Sequence, residues 1–420
     1  MAPAGPATNI NTLVIGAGQA GLATSYWLTQ NGVDHLLLDR RDTLGGAWQD
    51  RWDSFYLNTP NFALALPGMA YDGDPDGFLP RDTVIGFFRE YGERIQAPLQ
   101  LGTSVTRVSQ DGTGFNVETT RGHWHANNVV LANGAFQHPR IPSAAAGIPG
   151  NITQLHSHDY RNPSALPQGA VLVVGTGQSG GQITEDLLDA GREVHLSASS
   201  CPEAPRRYRG KDLFDWIWQV NLHGPAAGIT GLQADQLPSP AARLFCNPQI
   251  SGNNGGHSIH LRDLGRRGVH LHGRFEGMDD GGALTFTDDL PERLVQVEGG
   301  FGHRLRLIDA YIEAAGLNAP EIEEPAVDTW LPATDGARLD LEAAGVTSIV
   351  WSTGYSLDFG FLDVPVLDEW NYPLHTRGVT KVPGLYVVGL PWLTRHASAT
   401  LPGVGPDAGY VAEHLAARPG

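Results

Sequence analysis

The chain has 420 residues, of which 41% are hydrophobic, so it is long enough for two or three packed domains. Its net charge of -17 and its lack of Lys or Arg runs argue against nucleic acid and anionic lipid surfaces as partners. The sequence contains neither a recognisable signal peptide nor an apolar run of membrane-spanning length, so we expect a cytoplasmic protein without membrane insertion.

The first predicted elements are a strand, a glycine-rich loop, a helix and a second strand. An apolar run at residues 13–15 enters "GAGQAG", and an amphipathic segment follows until Gly32 ends it. In such a βαβ unit the three glycines permit a tight turn, close approach to a pyrophosphate and close helix packing. A carboxylate ending the second strand can bond a ribose hydroxyl. The residues predicted to form this first site are Gly16, Gly18, Gln19, Gly21, Asp39 and Arg40.

Short alternating runs between residues 99 and 126 predict a small antiparallel meander. Proline-rich stretches at residues 139–149 and 163–167 then indicate linkers into a second domain.

The glycine-rich arrangement recurs 159 positions later in the chain. A second strand, loop and helix are predicted there, with "GTGQSG" as the loop, so the chain is expected to bind two dinucleotides. The loop residues predicted to form this second site are Gly175, Gly177, Gln178, Ser179 and Gly180. The segment "GQSGG" also matches the nucleophile elbow of α/β-hydrolases, but that interpretation leaves the first unit unexplained.

The two units differ where the second strand ends. The offset that aligns the glycines places Ala198 where the first unit has Asp39, so the second unit lacks the carboxylate. Hydroxyls and guanidinium groups suit a 2'-phosphate, which predicts NADPH in the second unit and FAD in the first. The residues considered for the 2'-phosphate are Ser199, Arg206 and Arg207, with Ser197, Ser200 and Arg209 nearby. The alternative is that these arginines form a solvated loop surface.

These elements predict an α/β fold with two Rossmann-like dinucleotide-binding domains and a small antiparallel β-meander. The FAD-binding domain is expected to be discontinuous, with residues 1–145 as its first part and 323–420 as its second. Residues 146–322 are expected to form the inserted NADPH-binding domain. Near the C-terminus, a helix is predicted with Gly405 as its cap, Pro406 as its first residue and Asp407 in its first turn. The positive end of this helix could stabilise a reduced flavin; the alternative is a plain capped surface helix.

Histidines and cysteines suggest no further chemistry at the level of sequence. His123 with His125, and His270 with His272, share strand faces, but no carboxylate or cysteine completes a ligand spacing, so we expect no metal site. Cys201 and Cys246 are far apart in sequence and form no Cys-x-x-Cys pair, so we expect neither a disulfide framework nor the redox-active pair of a disulfide reductase.

Motifs along nearly the whole chain resemble those of the class B flavin-dependent monooxygenases, which include flavin-containing and Baeyer-Villiger monooxygenases. The resemblance is closest to bacterial flavoproteins of the CzcO type. It rests on "GAGQAG", "LGGAW", "LNTP", "LANGAFQHPRIP", "LHSHDY", "GTGQSG", "WSTGY" and "LYVVGLPW".

The resemblance implies roles for further residues. Gly46 and Trp48 would contact FAD, and Asn58, two residues before Pro60, would be the catalytic amide beside the flavin; its alternative is a turn asparagine. His156 and Tyr160 match a linker fingerprint, although Gly150 and Ile152 replace its aromatic residue and its glycine. The resemblance implies that His156 helps to couple the two domains; the alternative is a linker histidine that makes a local hydrogen bond.

The implied activity is an NADPH- and O2-dependent oxygenation of a small organic substrate through a C4a-(hydro)peroxyflavin, with N- or S-oxygenation favoured. Three alternatives stay open: Baeyer-Villiger oxidation of a ketone, an FAD-dependent NADPH reductase or oxidase without oxygen transfer, and a non-catalytic redox sensor. A homodimer is left open as well.

Overall fold

The computed structural model describes residues 7–322, 328–332 and 336–418. This part of the chain is built around two main sheets. Each sheet supplies the strands of one unit of strand, glycine loop and helix. The helices are Gln19–Gln30, Arg81–Arg94, Gln178–Asp189, Leu213–His223, Leu261–Arg266, Leu290–Gly299, Gly302–Ala314 and Val404–Ala416. Among the described residues, no helix has the length and apolar character needed to cross a membrane.

The first sheet combines a parallel nucleotide-binding half with an antiparallel meander. Thr8–Ile15 pairs in parallel with His35–Leu38 on one side and with Gly122–Leu131 on the other. The meander consists of Val105–Gln110, Phe115–Thr119 and the beginning of Gly122–Leu131, where the sequence predicted it. The remaining strands are Leu99–Gln100, Leu362–Asp363, His375–Thr376, Val379–Thr380 and Leu385–Val387.

The second sheet has five parallel strands. Their order across the sheet is Thr153–His156, Val346–Trp351, Ala170–Val174, Val194–Ser197 and His270–His272. All five side chains of Ala170–Val174 are buried, as a central parallel strand covered on both faces requires. Phe275–Met278, Leu284–Phe286 and Arg338–Leu339 form a small antiparallel sheet beside it. The fold is therefore α/β, with two Rossmann-like units and a meander.

Sheet pairing differs from the expected course of the chain at one point. Val346–Trp351 pairs within the second sheet, so the chain returns to the first sheet only after this strand. The predicted boundary at 323 lies outside the described residues, and the domain division stays a prediction.

The C-terminal helix packs against the helix of the first unit. Val404, Ala408 and Val411 are fully buried in the same core as Leu22 and Ala23 of the first-unit helix. Burying each Val or Leu side chain contributes about 1.5–3 kcal/mol, so this contact holds the first turn of the C-terminal helix beside the first glycine loop.

Candidate functional site

The first glycine loop has no room for side chains at two of its three glycines. Gly16 has a φ of +106°, and a Cβ there would lie 2.6 Å from the carbonyl oxygen of Ala132. A Cβ at Gly21 would lie 1.8 Å from the carbonyl oxygen of Gly16. Gly18 is the N-cap of the helix, and a Cβ at Gly46 would lie 3.2 Å from the Cα of Gly18. The loop therefore presents bare backbone at a helix N-terminus, which suits a pyrophosphate.

Asp39 lies beside this loop, as predicted. Its Oδ2 accepts a hydrogen bond from the amide of Ala17 at 2.7 Å, and its Oδ1 accepts one from the amide of Arg41 at 2.9 Å. Arg40 is exposed next to it. Gln19 donates to the carbonyl of Ala399 at 2.6 Å, which ties the loop to the segment preceding the C-terminal helix.

The second glycine loop repeats the geometry of the first. Gly175 has a φ of +102°, and a Cβ there would lie 2.6 Å from the carbonyl oxygen of Ser352. A Cβ at Gly180 would lie 1.8 Å from the carbonyl oxygen of Gly175, the same distance as in the first unit. Gly177 is the N-cap of the helix, and Ser179 lies half-buried in the first turn.

Ser199 occupies in the second unit the place that Asp39 occupies in the first. The repeat aligns Ala17 with Thr176, and the Ser199 hydroxyl lies 2.8 Å from the Thr176 hydroxyl. The structural counterpart of Asp39 is therefore one residue beyond Ala198, since the amide of Thr176 donates to the Ser199 hydroxyl at 3.4 Å as the amide of Ala17 donates to Asp39. A neutral hydroxyl there removes the negative charge that would repel a 2'-phosphate.

The two arginines predicted to bind the 2'-phosphate have different partners and do not form one shared phosphate site. Arg206 is buried, and its Nε and Nη2 lie 2.7 and 2.6 Å from Oδ2 of Asp212. Burial lowers the pKa of its guanidinium. Arg207 is exposed and donates to the carbonyl of Gly210 at 2.8 Å. Because Asp212 pairs with Arg206, this arrangement does not favour Arg206 as a phosphate ligand, and both assignments stay predictions.

Asn58 lies between the two units. Its Nδ2 donates to Oε1 of Gln178 at 3.0 Å, and its Oδ1 accepts from Nε2 of Gln182 at 2.7 Å. Its backbone carbonyl accepts from Nη1 of Arg206 at 2.6 Å. Gln182 is buried and also donates to the carbonyl of Ile250 at 2.7 Å. Both the side chain and the backbone of Asn58 are thus held by the second unit.

Sequence reasoning missed Gln182 and Asp212. The signal for Gln182 was its spacing of four from Gln178, which places both amides on one helix face. Nothing local indicated that this face would meet Asn58, because the contact joins segments far apart in the chain.

Asp407 lies in the first turn of Val404–Ala416 and is 4% exposed. Its Oδ1 accepts from the Thr394 hydroxyl at 2.7 Å, with Nη2 of Arg395 at 3.7 Å. Burial raises its pKa. Its Oδ2 is buried without a hydrogen-bond partner among the described residues, and so is Oγ of Ser352 beside the second loop. Such atoms, next to loops without side chains, fit a polar ligand in each unit.

His156 and Tyr160 connect the linker to the second unit. Nδ1 of His156 accepts from the amide of His158, so its Nε2 donates to the carbonyl of Gly354 at 3.0 Å. Burial lowers the pKa of His156 to about 4. The Tyr160 hydroxyl donates to Oδ2 of Asp186 at 2.6 Å. The role of His156 in coupling the two units stays a prediction.

Two apolar side chains line the boundary near Asn58. Trp52 and Phe55 are 2% and 4% exposed, and their rings meet edge to face at 5.3 Å. They share a core with Val171 and Ile183 of the second unit. Trp48 lies against this core, with its ring centroid 6.1 Å from that of Phe55.

One cluster of metal-capable side chains occurs within the described ranges. Glu193, His195 and His270 bring ligand atoms within 4.8 Å of one another. The spacing considered for His270 and His272 did not include this carboxylate, because Glu193 is far from both histidines in sequence. In the fold its Oε1 lies 3.4 Å from Nε2 of His270. The absence of a metal site stays a prediction.

Comparisons with known proteins agree with this architecture. Residues 13–214 match the family described as pyridine nucleotide-disulphide oxidoreductase. The chain is 31% identical over 404 residues to an uncharacterised CzcO-like oxidoreductase of Geobacillus kaustophilus, covering 96% of this chain and 97% of that relative. It is 25% identical over 381 residues to flavin-containing monooxygenase 5 of Oryctolagus cuniculus, covering 83% and 62%. A solved flavin-containing monooxygenase from Stenotrophomonas maltophilia shares the fold, with a TM-score of 0.64, 20% identity and coverage of 98% and 99%.

Proposed function

Because the chain belongs to the class B flavin-dependent monooxygenases, in their CzcO-like branch, we propose that it is an NADPH- and O2-dependent monooxygenase. FAD binds at the first glycine loop and NADPH at the second. The substrate is a small organic molecule, and oxygenation at nitrogen or sulfur is favoured over Baeyer-Villiger oxidation because the linker fingerprint is incomplete at Gly150 and Ile152.

The observation that carries this proposal is the position of Asn58. Two glutamines of the second-unit helix fix its side-chain amide, one as acceptor and one as donor. Gln178 is the first residue of that helix, next to the predicted NADPH pyrophosphate. An amide held in this way can present one donor and one acceptor to the reacting centre without first reorganising.

Bound FAD would supply oxygen activation, and NADPH would supply the hydride. The chain's own residues would bind and orient the two cofactors and would exclude water from the site. Gly16, Gly18 and Gly21 would hold the FAD pyrophosphate, with Asp39 at its ribose. Gly175, Gly177 and Gly180 would hold that of NADPH, with Ser199 facing the 2'-phosphate. Trp52 and Phe55 keep the boundary between the units apolar, which limits the water that can reach the reacting centre.

The test of the proposed role of Asn58 is the coupling of NADPH oxidation to oxygenation. In Asn58→Ala we expect FAD to stay bound and NADPH to be oxidised, with hydrogen peroxide replacing most of the oxygenated product. Removing one donor aimed at a reacting centre costs about 2.7–4 kcal/mol, so coupled turnover falls about 100- to 1,000-fold. Peroxide, product and NADPH are measured in the same reaction.

Asn116→Ala is the matched control, since Asn116 lies in the meander strand Phe115–Thr119 and bonds the exposed Asp111. It should couple as the wild type does. Unchanged coupling in Asn58→Ala would remove the proposed role of this residue.

The reaction class is tested on the wild-type protein. A panel of amines, thioethers and ketones is scored for product per NADPH consumed. Product from amines or thioethers supports heteroatom oxygenation, product from ketones alone identifies Baeyer-Villiger oxidation, and NADPH turnover without any product identifies a reductase or oxidase.

A further inference from the structure

The two cysteines of the chain meet in the folded protein. Cys201 is buried just after the strand Val194–Ser197, and its thiol donates to the carbonyl of Asn247 at 3.0 Å. The exposed Cys246 directly precedes Asn247, and the two thiols are close enough that each shifts the pKa of the other. The expectation of no redox-active cysteine pair rested on sequence spacing alone and stays a prediction, since the fold brings the two cysteine-bearing segments together.

Backbone contacts hold the two cysteine-bearing segments together. The amide of Gln249 donates to the carbonyl of Pro202 at 3.0 Å, and its side chain donates to the carbonyl of Cys201 at 2.8 Å. Glu203 and Gln249 form a parallel bridge in the same place. The packed backbone thus holds the two cysteine-bearing segments side by side.

The two thiols have different environments. The Cys201 thiol stabilises the thiolate of Cys246, and the guanidinium of Arg304 does so as well, which lowers the pKa of Cys246. The hydrogen bond to Cys246, followed by burial, raises the pKa of Cys201. An exposed thiol with a lowered pKa beside a buried thiol with a raised pKa is the arrangement of a nucleophilic cysteine with its resolving partner.

The pair borders the second glycine loop on two sides. The Cβ of Cys246 lies 3.9 Å from the position that a Cβ would take at Gly177. The amide of Cys201 donates to the Ser199 hydroxyl at 3.2 Å, and Ser199 in turn contacts Thr176 of the loop. A dinucleotide bound over this loop would lie against the segment that carries Cys246.

We propose that Cys201 and Cys246 form a reversible disulfide at the edge of the second dinucleotide site, with hydrogen peroxide as the oxidant. The Cys246 thiolate attacks the peroxide, so that an S–O bond forms, the O–O bond breaks and hydroxide leaves. The sulfur of Cys201 then attacks the Cys246 sulfur; the S–S bond forms, the S–O bond breaks, and the departing hydroxyl takes the proton of Cys201 and leaves as water. Two thiols are oxidised and one peroxide is reduced to water; a dithiol reverses the change. Only the identification of the nearby ligand as NADPH rests on the proposed function.

The test begins with the reduced holoenzyme and one equivalent of hydrogen peroxide. We expect both free thiols to disappear in a denaturing thiol titration, a non-reduced peptide map to show Cys201 linked to Cys246, and dithiothreitol to restore both thiols. In Cys201→Ser, Cys246 should stop as a sulfenic acid that dimedone traps. In Cys246→Ser, the buried Cys201 should stay unoxidised.

Two free thiols after peroxide treatment, or oxidation of both cysteines without a linked peptide, would overturn the proposal. A second measurement separates this outcome from the proposed cofactor site. Saturating NADP+ should slow the alkylation of Cys246 more than about tenfold, because few sites then stay empty. If the disulfide forms but NADP+ gives no protection, the redox pair stands and the assignment of NADPH to this loop fails.

Discussion

Ser199→Asp should reverse the preference of the second site from NADPH to NADH. In the first unit a carboxylate at this place accepts the amide of Ala17 at 2.7 Å, and in the second unit the Ser199 hydroxyl lies 2.8 Å from Thr176. An aspartate at 199 would therefore occupy the same corner between strand end and loop. There it would accept from a ribose hydroxyl and repel a 2'-phosphate.

The size of the effect follows from the expected separation. A carboxylate that can bond a 2'-hydroxyl would lie about 4–5 Å from a phosphate attached to the same oxygen, and two charges at that distance interact by about 3–4 kcal/mol at an effective dielectric constant of about 20. Ser199 is half-buried, so solvent and salt reduce this energy to about 1.5–3 kcal/mol. We expect NADPH affinity to fall about 10- to 150-fold, with NADH affinity maintained or increased.

The assay is titration of the FAD-loaded protein with each nucleotide, followed by the KM for each. Ser200→Asp adds the same charge at the neighbouring exposed position and is the control for a general electrostatic effect. If Ser199→Asp binds NADPH as the wild type does, or no worse than Ser200→Asp, the correspondence between Ser199 and Asp39 is refuted.

Two further predictions concern the second unit. Gly180→Ala would place a Cβ 1.8 Å from the carbonyl oxygen of Gly175, so we expect NADPH binding to be lost while FAD stays bound. The control is Gly86→Ala, whose Cβ would meet nothing within 4 Å and should affect neither cofactor. Equal nucleotide titrations of the two variants would contradict this prediction. Burial lowers the pKa of His156 to about 4 in the folded protein, below its ordinary value of 6.5. Between these two pH values the unfolded chain binds a proton at His156 that the folded protein does not, so the free energy of unfolding should fall as the pH drops from about 6.5 to 4. This loss of stability is about 1–3 kcal/mol after allowance for the partial exposure of His156. In His156→Gln the loss should be smaller when thermal unfolding is measured across the same pH range. An unchanged pH dependence would assign the loss to other groups.

The sequence alone was sufficient for the two dinucleotide-binding units. Their glycines are local signals, because each turn requires a positive φ or a close backbone approach that a side chain would block, as Gly16 and Gly21 show. The meander and the C-terminal helix were likewise predicted from patterns within a few residues, although this helix begins at Val404, with Gly403 as its N-cap, and not at Pro406 with Gly405 as the cap. The resemblance carried by these motifs then identified the family.

The tertiary structure decided which distant groups meet. It placed Ser199 and not Ala198 at the position of Asp39, paired Arg206 with Asp212, and enclosed Asn58 between two glutamines. It also brought Cys201 to Cys246 and assigned Val346–Trp351 to the second sheet. These contacts depend on how strands order across a sheet and on where loops turn after them. Hydrophobic periodicity and glycine spacing describe only neighbours along the chain, so they carry no information about such pairings.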